Sequence, residues 1–172
     1  LQSGCDATLK RMNRKYTTEQ YLEKINKIRS YLPNIAFTTD VIVGFPGETD
    51  EEFQATYDFI KKVNYSQLHV FPYSPRKNTP AAKMKDQVND QVKHQRVERL
   101  LELSKQLNYD FAMKQIDKTL KVLFEKRSGD YLIGHASDYL QVKVKTNENL
   151  IGEIVNIKIE KYSDMLEGSI AS

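Results

Sequence analysis

The sequence is short of several things at once: it has one cysteine, Cys5, no tryptophan, three histidines, and no run of apolar residues long enough to cross a bilayer. Each absence removes a class of answer. A single thiol excludes an internal disulfide and a cysteine-only metal cage, and it leaves too few ligands for a complete iron-sulfur site. Without about twenty consecutive apolar residues no helical membrane span is expected. The start, LQSGCDATLK, has neither the basic region nor the apolar run of a signal peptide, so the expectation is a soluble, cytoplasmic chain. Charge of one sign is also scarce. The net charge is +3, with 18 Lys and Arg against 14 Asp and Glu in residues 1–116, and 8 against 9 in residues 117–172. The second part is therefore no basic patch. In the first part, Lys10, Arg11, Arg14, Lys15, Lys24, Lys27 and Arg29 face only Glu19 and Glu23 between them. Such an excess favours a polyanion or a carboxylate, with a solvated helix face as the alternative.

What is present is periodic. Thr17 stands three residues before Gln20, and Tyr21, Ile25, Ile28 and Leu32 recur at three or four residues, which predicts an amphipathic helix over 18–32 stopped by Pro33. A strand from Ile35 to Val43 follows, then a helix marked by Phe53, Tyr57, Ile60 and Val63, then a strand from Gln67 to Phe71. This alternation is the pattern of parallel βαβ units, whose ligand-facing loops lie at the carboxyl ends of the strands. Gly44 to Glu48 is one such loop, Pro72 to Pro80 another, and Leu1-Gln2-Ser3-Gly4 reads as the end of a strand that begins outside the chain. Too few strands are present to close an α/β barrel, so a fragment is expected. A long helix is predicted over 88–116 from Val92, Val97, Leu100, Leu103, Leu107 and Phe111. Beyond it, short alternating runs separated by Ser128-Gly129-Asp130, Asn147-Glu148-Asn149 and Ser163-Asp164 predict a small antiparallel barrel or sandwich. The domains are accordingly 1–116 and 117–172.

The stretch DVIVGFPGETDEEF, Asp40 to Phe53, concentrates the chemistry. Val41, Ile42 and Val43 suit a strand buried on both faces. Gly44 and Gly47 bracket Phe45-Pro46, and Thr49 precedes Glu52 at capping-box spacing, so helix amides point back at the turn. Either a ligand lies against this turn or the glycines only make a strand-to-helix connection.

Three stretches in order, LQSGCDATLKRMNRKYT, TDVIVGFPGETDEEF and HVFPYSPRKNTPAA, resemble the carboxyl half of the radical S-adenosylmethionine methylthiotransferases, and the β-rich tail resembles their TRAM domain. QSGC, the DQV at Asp86 to Val88 and the tail together look most like the branch that methylthiolates threonylcarbamoyladenosine beside the anticodon of tRNA. The resemblance covers the whole chain. It implies half of a TIM-like radical S-adenosylmethionine barrel followed by a small OB-like barrel. The cofactors implied are S-adenosylmethionine and two 4Fe-4S clusters, with the cluster cysteines on a missing amino-terminal half. It also implies tRNA as partner, a monomer, and no catalytic or metal-binding residue in this chain, which alone would be inactive. Cys5 is expected to be a half-buried structural thiol.

By the same resemblance, the opening stretch matches a loose G-x-I-x-G-x-x-E element, with Asp40 in place of the first glycine and Glu48 one place late. Asp40, Val41, Ile42, Val43 and Gly44 would then lie against the cofactor adenine. Gln2 and Ser3 would hydrogen-bond its ribose or amino-acid part, Arg14 would take its carboxylate or else pair with Glu19, and Phe71 and Tyr73 would wall the purine or serve as core aromatics. His69 is expected to be packed. Arg76 and Lys77 would meet RNA phosphates, with Asn78 where the family pattern suggests glycine. Tyr131, His135, Tyr139 and Lys143 mix aromatic and cationic groups in the manner of RNA-binding barrels. The alternative is a noncatalytic RNA-binding module with an α/β scaffold, or an unrelated phosphate-binding α/β enzyme.

Overall fold

The computed structural model describes residues 1–171. The chain divides into two compact units, Leu1–Asn108 and Tyr109–Ser172. The first begins with helix α1 (Asp6–Arg11), α2 (Thr18–Tyr31), strand β1 (Thr38–Val43), α3 (Asp50–Val63) and β2 (Gln67–Pro72), and it includes most of α4 (Asp90–Met113). Both anticipated capping boxes form. Thr17 and Gln20 cap α2 reciprocally, Thr49 and Glu52 cap α3, and α3 ends on Asn64 in the left-handed region at φ 57°.

β1 and β2 pair in parallel, with Asp40 opposite His69 and Ile42 opposite Phe71. The Gln2 carbonyl accepts the Ile42 N–H at 2.9 Å, so the opening residues run beside β1 as the expected strand end does, although they form no strand of their own. β1 is not buried on both faces. Thr39, Val41 and Val43 are buried, Asp40 is exposed and Ile42 is partly exposed. The reason is period-two alternation with helices on one side only. Val41 and Val43 join Phe53, Ile60, Val63, Leu68, Leu100, Leu103 and Leu107 in the core, while the opposite face of the sheet stays open. His69 lies on that open face and is exposed, not packed.

The second unit contains β3 (Thr119–Ser128), β4 (Tyr131–Ala136), β5 (Gln141–Lys145), β6 (Ile154–Tyr162) and β7 (Leu166–Ile170), closed in the order β3-β4-β5-β7-β6. Its core gathers Val122, Phe124, Leu132, Val142, Val144, Ile157, Ile159 and Leu166, with Phe111 and Ala112 from the end of α4. The barrel is mixed, not wholly antiparallel, because β5 and β7 run parallel. Closure makes this unavoidable: strands that alternate in direction around a ring of five must leave one neighbouring pair parallel. At Gly134 a Cβ would lie 2.0 Å from the Leu123 carbonyl oxygen, which explains a glycine inside a strand beside the bulge at Phe124/Lys126.

Candidate cofactor site and candidate nucleic-acid face

The turn between β1 and α3 is held from below by ions. Gly44 takes φ +70°, and its N–H donates to Glu48 Oε1 at 2.9 Å. The same oxygen accepts from Arg96 Nη1 at 2.7 Å, and Arg96 Nη2 donates to Asp50 Oδ1 at 2.7 Å. Burial raises the Glu48 pKa, while the Gly44 N–H and Arg96 pull it back. Beside this lies a second pair. Arg11 donates to both carboxylate oxygens of Glu52, and that hydrogen bond is the main reason the Glu52 carboxyl sits below its ordinary value. The group lying against Gly44 is Lys93 of α4, whose Cγ would be 2.4 Å from a Cβ placed there.

The site residues anticipated from sequence separate into three sets. Gln2, Asp40, Ile42 and Phe71 come together on or beside the open sheet face, where Phe71 is half exposed and Tyr16 donates to Gln2 Oε1 at 3.0 Å. Arg14 is exposed, and its charge and that of Asp40 both act on the Leu1 amino group, the one lowering and the other raising its pKa. Val41, Val43 and Ser3 point the other way. The valines are core, and the Ser3 hydroxyl is buried 3.0 Å from the Thr56 hydroxyl. Gly44 and Tyr73 form a third group around the turn. The Tyr73 N–H donates to the Val43 carbonyl at 2.8 Å, and its ring meets Phe45 edge-on at 5.2 Å and Lys93 Nζ at 5.8 Å. Cys5 is half buried at the start of α1.

Arg76 and Lys77 are exposed after β2, and Asn78 adopts φ +68°, the conformation its side chain tolerates better than most. In the barrel, Tyr131, Ile133 and His135 share the outward face of β4, and Lys143 lies opposite Ile133 on β5. Lys143 Nζ is 5.4 Å from the Tyr131 ring centroid and 2.5 Å from Asp164 Oδ1. Its charge is thus shared with an acid, which raises the Lys143 pKa and lowers Asp164 to about 2. His135 Nδ1 is 2.9 Å from Glu125 Oε2, and Tyr139, at φ +65° in the β4–β5 turn, is exposed. The outward row Ile154, Leu123, His135 and Gln141 runs in register across four strands.

Sequence reasoning did not single out Lys93 and Arg96. Glu48 carried a signal, as an acid displaced by one from the family pattern. Arg96 carried none, because its partners are 46 and 48 residues away and QRVERL reads as an ordinary helix.

Residues 1–60 match the radical SAM superfamily, which sets the class of the first unit. Over nearly its whole length the chain is also similar to named tRNA-modifying proteins. It is 47% identical over 166 residues to the threonylcarbamoyladenosine tRNA methylthiotransferase MtaB of Bacillus subtilis, covering 94% of this chain and 37% of that protein. It is 45% identical to a tRNA-2-methylthio-N(6)-dimethylallyladenosine synthase of Thermoanaerobacter, with 92% and 34% covered, and 44% identical to that of Aquifex aeolicus, with 98% and 39% covered. The chain belongs to the radical S-adenosylmethionine tRNA methylthiotransferase family and spans between a third and two fifths of the length of these relatives. No helix among the described residues is long and apolar enough to cross a membrane.

Proposed function

We propose that this chain is the part of a tRNA methylthiotransferase that presents S-adenosylmethionine and engages the RNA, and that the modified base is threonylcarbamoyladenosine beside the anticodon. The observation that carries the reading is the 47% identity to a protein named for that substrate over 94% of the chain. A relative named for dimethylallyladenosine is 45% identical.

The residues present fit the adenosyl and amino-acid parts of the cofactor. An open sheet face edged by an exposed phenylalanine and a partly exposed isoleucine can take a purine flat. A glutamine whose carbonyl is already held by Tyr16 keeps its amide hydrogens for a ribose or carboxylate oxygen. On this reading Phe71 and Ile42 bind the adenine, Gln2 orients the sugar or amino-acid part, and Arg14 neutralises the carboxylate with its planar fork. Ser3, through Thr56, ties the segment carrying Gln2 to α3. When bound, the cofactor supplies the radical and methyl chemistry. An iron-sulfur cluster does not fit this chain, which has one cysteine, and no group of three or more metal-ligating side chains gathers among the described residues.

For RNA, Arg76 and Lys77 offer phosphate contacts, and Tyr131, His135, Tyr139 and Lys143 offer aromatic and cationic groups on the barrel. Few counterions would be released by a tail of net charge −1 whose Lys143 is paired with Asp164. The test is a titration of anticodon stem-loops, with and without the threonylcarbamoyl group, against the chain and its Arg76→Ala/Lys77→Ala and Tyr139→Ala variants at two salt concentrations. Weak binding with a shallow salt slope, reduced by both variants and favouring the modified loop, is expected. Equal binding of both loops would sink the substrate assignment, and tight, steeply salt-dependent binding would favour a stand-alone RNA-binding module.

A further inference from the structure

We propose that Arg96 is a positioning residue that fixes the shape of the β1–α3 turn through Glu48; its link to the cofactor rests on the reading above. One guanidinium ties three points of the turn. Nη1 donates to Glu48 Oε1 at 2.7 Å and to the Glu48 main-chain carbonyl at 3.2 Å, and Nη2 donates to Asp50 Oδ1, at the first residue of α3, at 2.7 Å. Glu48 Oε1 passes the constraint on, because it also accepts the Gly44 N–H. The ends of the network differ in solvation. The Arg96 and Glu48 side chains are 6% and 2% exposed, whereas that of Asp50 is 89% exposed, so the inner pair works in a dry medium where electrostatics are strong.

Helix docking does not require this charge. Leu100, Leu103 and Leu107 continue the inward stripe of α4 into the core, and a buried ion pair is often replaceable by apolar side chains of similar volume. What Arg96 adds is a defined geometry. Without it, the carboxylate is left dry and unpaired, and at neutral pH it draws in water through an opened turn. Opening would release the Gly44 N–H and remove Lys93 from its place over Gly44. The turn joins directly to Val43 and Ile42, so the register of the candidate purine face is set from beneath by a residue that touches no ligand.

The test uses amide hydrogen exchange on the 172-residue chain at neutral pH. Arg96→Met should speed exchange of the Gly44 amide at least about tenfold, while the Val41 and Leu68 amides keep their protection. Adding Glu48→Gln should return the Gly44 amide to within about threefold of the parent, because a neutral carbonyl can accept its hydrogen with no charge to hydrate. Gly44 exchange within twofold of the parent in Arg96→Met, or a double variant no better than the single one, overturns the proposal. Should Arg96→Met fail to fold, Arg96→Lys, which keeps the charge and loses the fork, is judged by the same amide. Its Gly44 exchange should rise at least threefold, and parent-like exchange refutes the role of the fork. A chemical-shift titration with S-adenosylmethionine is the second arm, with Arg96→Met expected to weaken binding about tenfold and the double variant to recover most of it. No shifts at Ile42 or Phe71 in the parent chain would refute the cofactor reading, while the exchange arm, read without ligand, still decides on Arg96.

Discussion

Replacing Gly44 by alanine asks what the turn leaves room for. At φ +70° an L-residue costs about 1–2 kcal/mol, and the new Cβ would also stand 2.4 Å from Lys93 Cγ, a methylene near the root of a buried side chain with little freedom to move. Overpacking of that kind costs about 1–3 kcal/mol, so the single variant should lose about 2–5 kcal/mol. In a Lys93→Ala background only the backbone part remains, and the coupling between the two positions should be about 1–3 kcal/mol. Urea titration followed on Val41 and Leu68 methyl signals confines the readout to the first unit, since two units need not unfold together. A loss of about 3 kcal/mol would move the midpoint by roughly 1–3 M. The Lys93–Asp90 contact at 3.0 Å is lost equally on both sides of the cycle and cancels. A coupling under about 0.5 kcal/mol would mean that Lys93 is not what the turn accommodates.

Further consequences concern both units. Gly134→Ala should destabilise the barrel by about 3 kcal/mol or more, because its Cβ meets a strand backbone that cannot step aside, whereas Gly129→Ala, with nothing within 4 Å of its Cβ, should cost only about 1–2 kcal/mol of backbone strain; calorimetry of the two variants, with similar losses refuting the distinction, decides it. Asp164 should titrate near 2 by carboxyl NMR, and Lys143→Met should bring it back toward 3.8. A carboxyl with a depressed folded pKa contributes stability above its unfolded value and loses it as pH falls through the folded one, so the Lys143–Asp164 contribution should fade between about pH 4 and 2. Thr49→Ala should cost about 1 kcal/mol by removing the reciprocal cap of α3, with Thr49→Ser close to neutral; thermal melts of both would show it, and equal losses would mean the methyl group, not the hydroxyl, matters.

The sequence by itself determined what local physics sets. The capping boxes at Thr17 and Thr49, the helix stop at Pro33, the strand alternation of the tail and the punctuation at Gly129 and Asn147 act over a few residues, and each is visible where it acts. It also carried three stretches whose order and spacing resemble one family, and it named Gln2, Asp40, Ile42 and Phe71, which lie on or beside one face of the sheet. Tertiary structure decided which face of β1 is covered, because a run of β-branched residues does not say how many layers lie over it. It decided that one barrel pair is parallel, since closure of five strands is a property of the ring. It decided too that Gly44 is small for Lys93, that Glu48 is ionically held, and that Arg96 holds it. Those contacts join residues tens of positions apart, and no local pattern records them, because the energy that fixes such a pair comes from burial that exists only once α4 has docked on the turn.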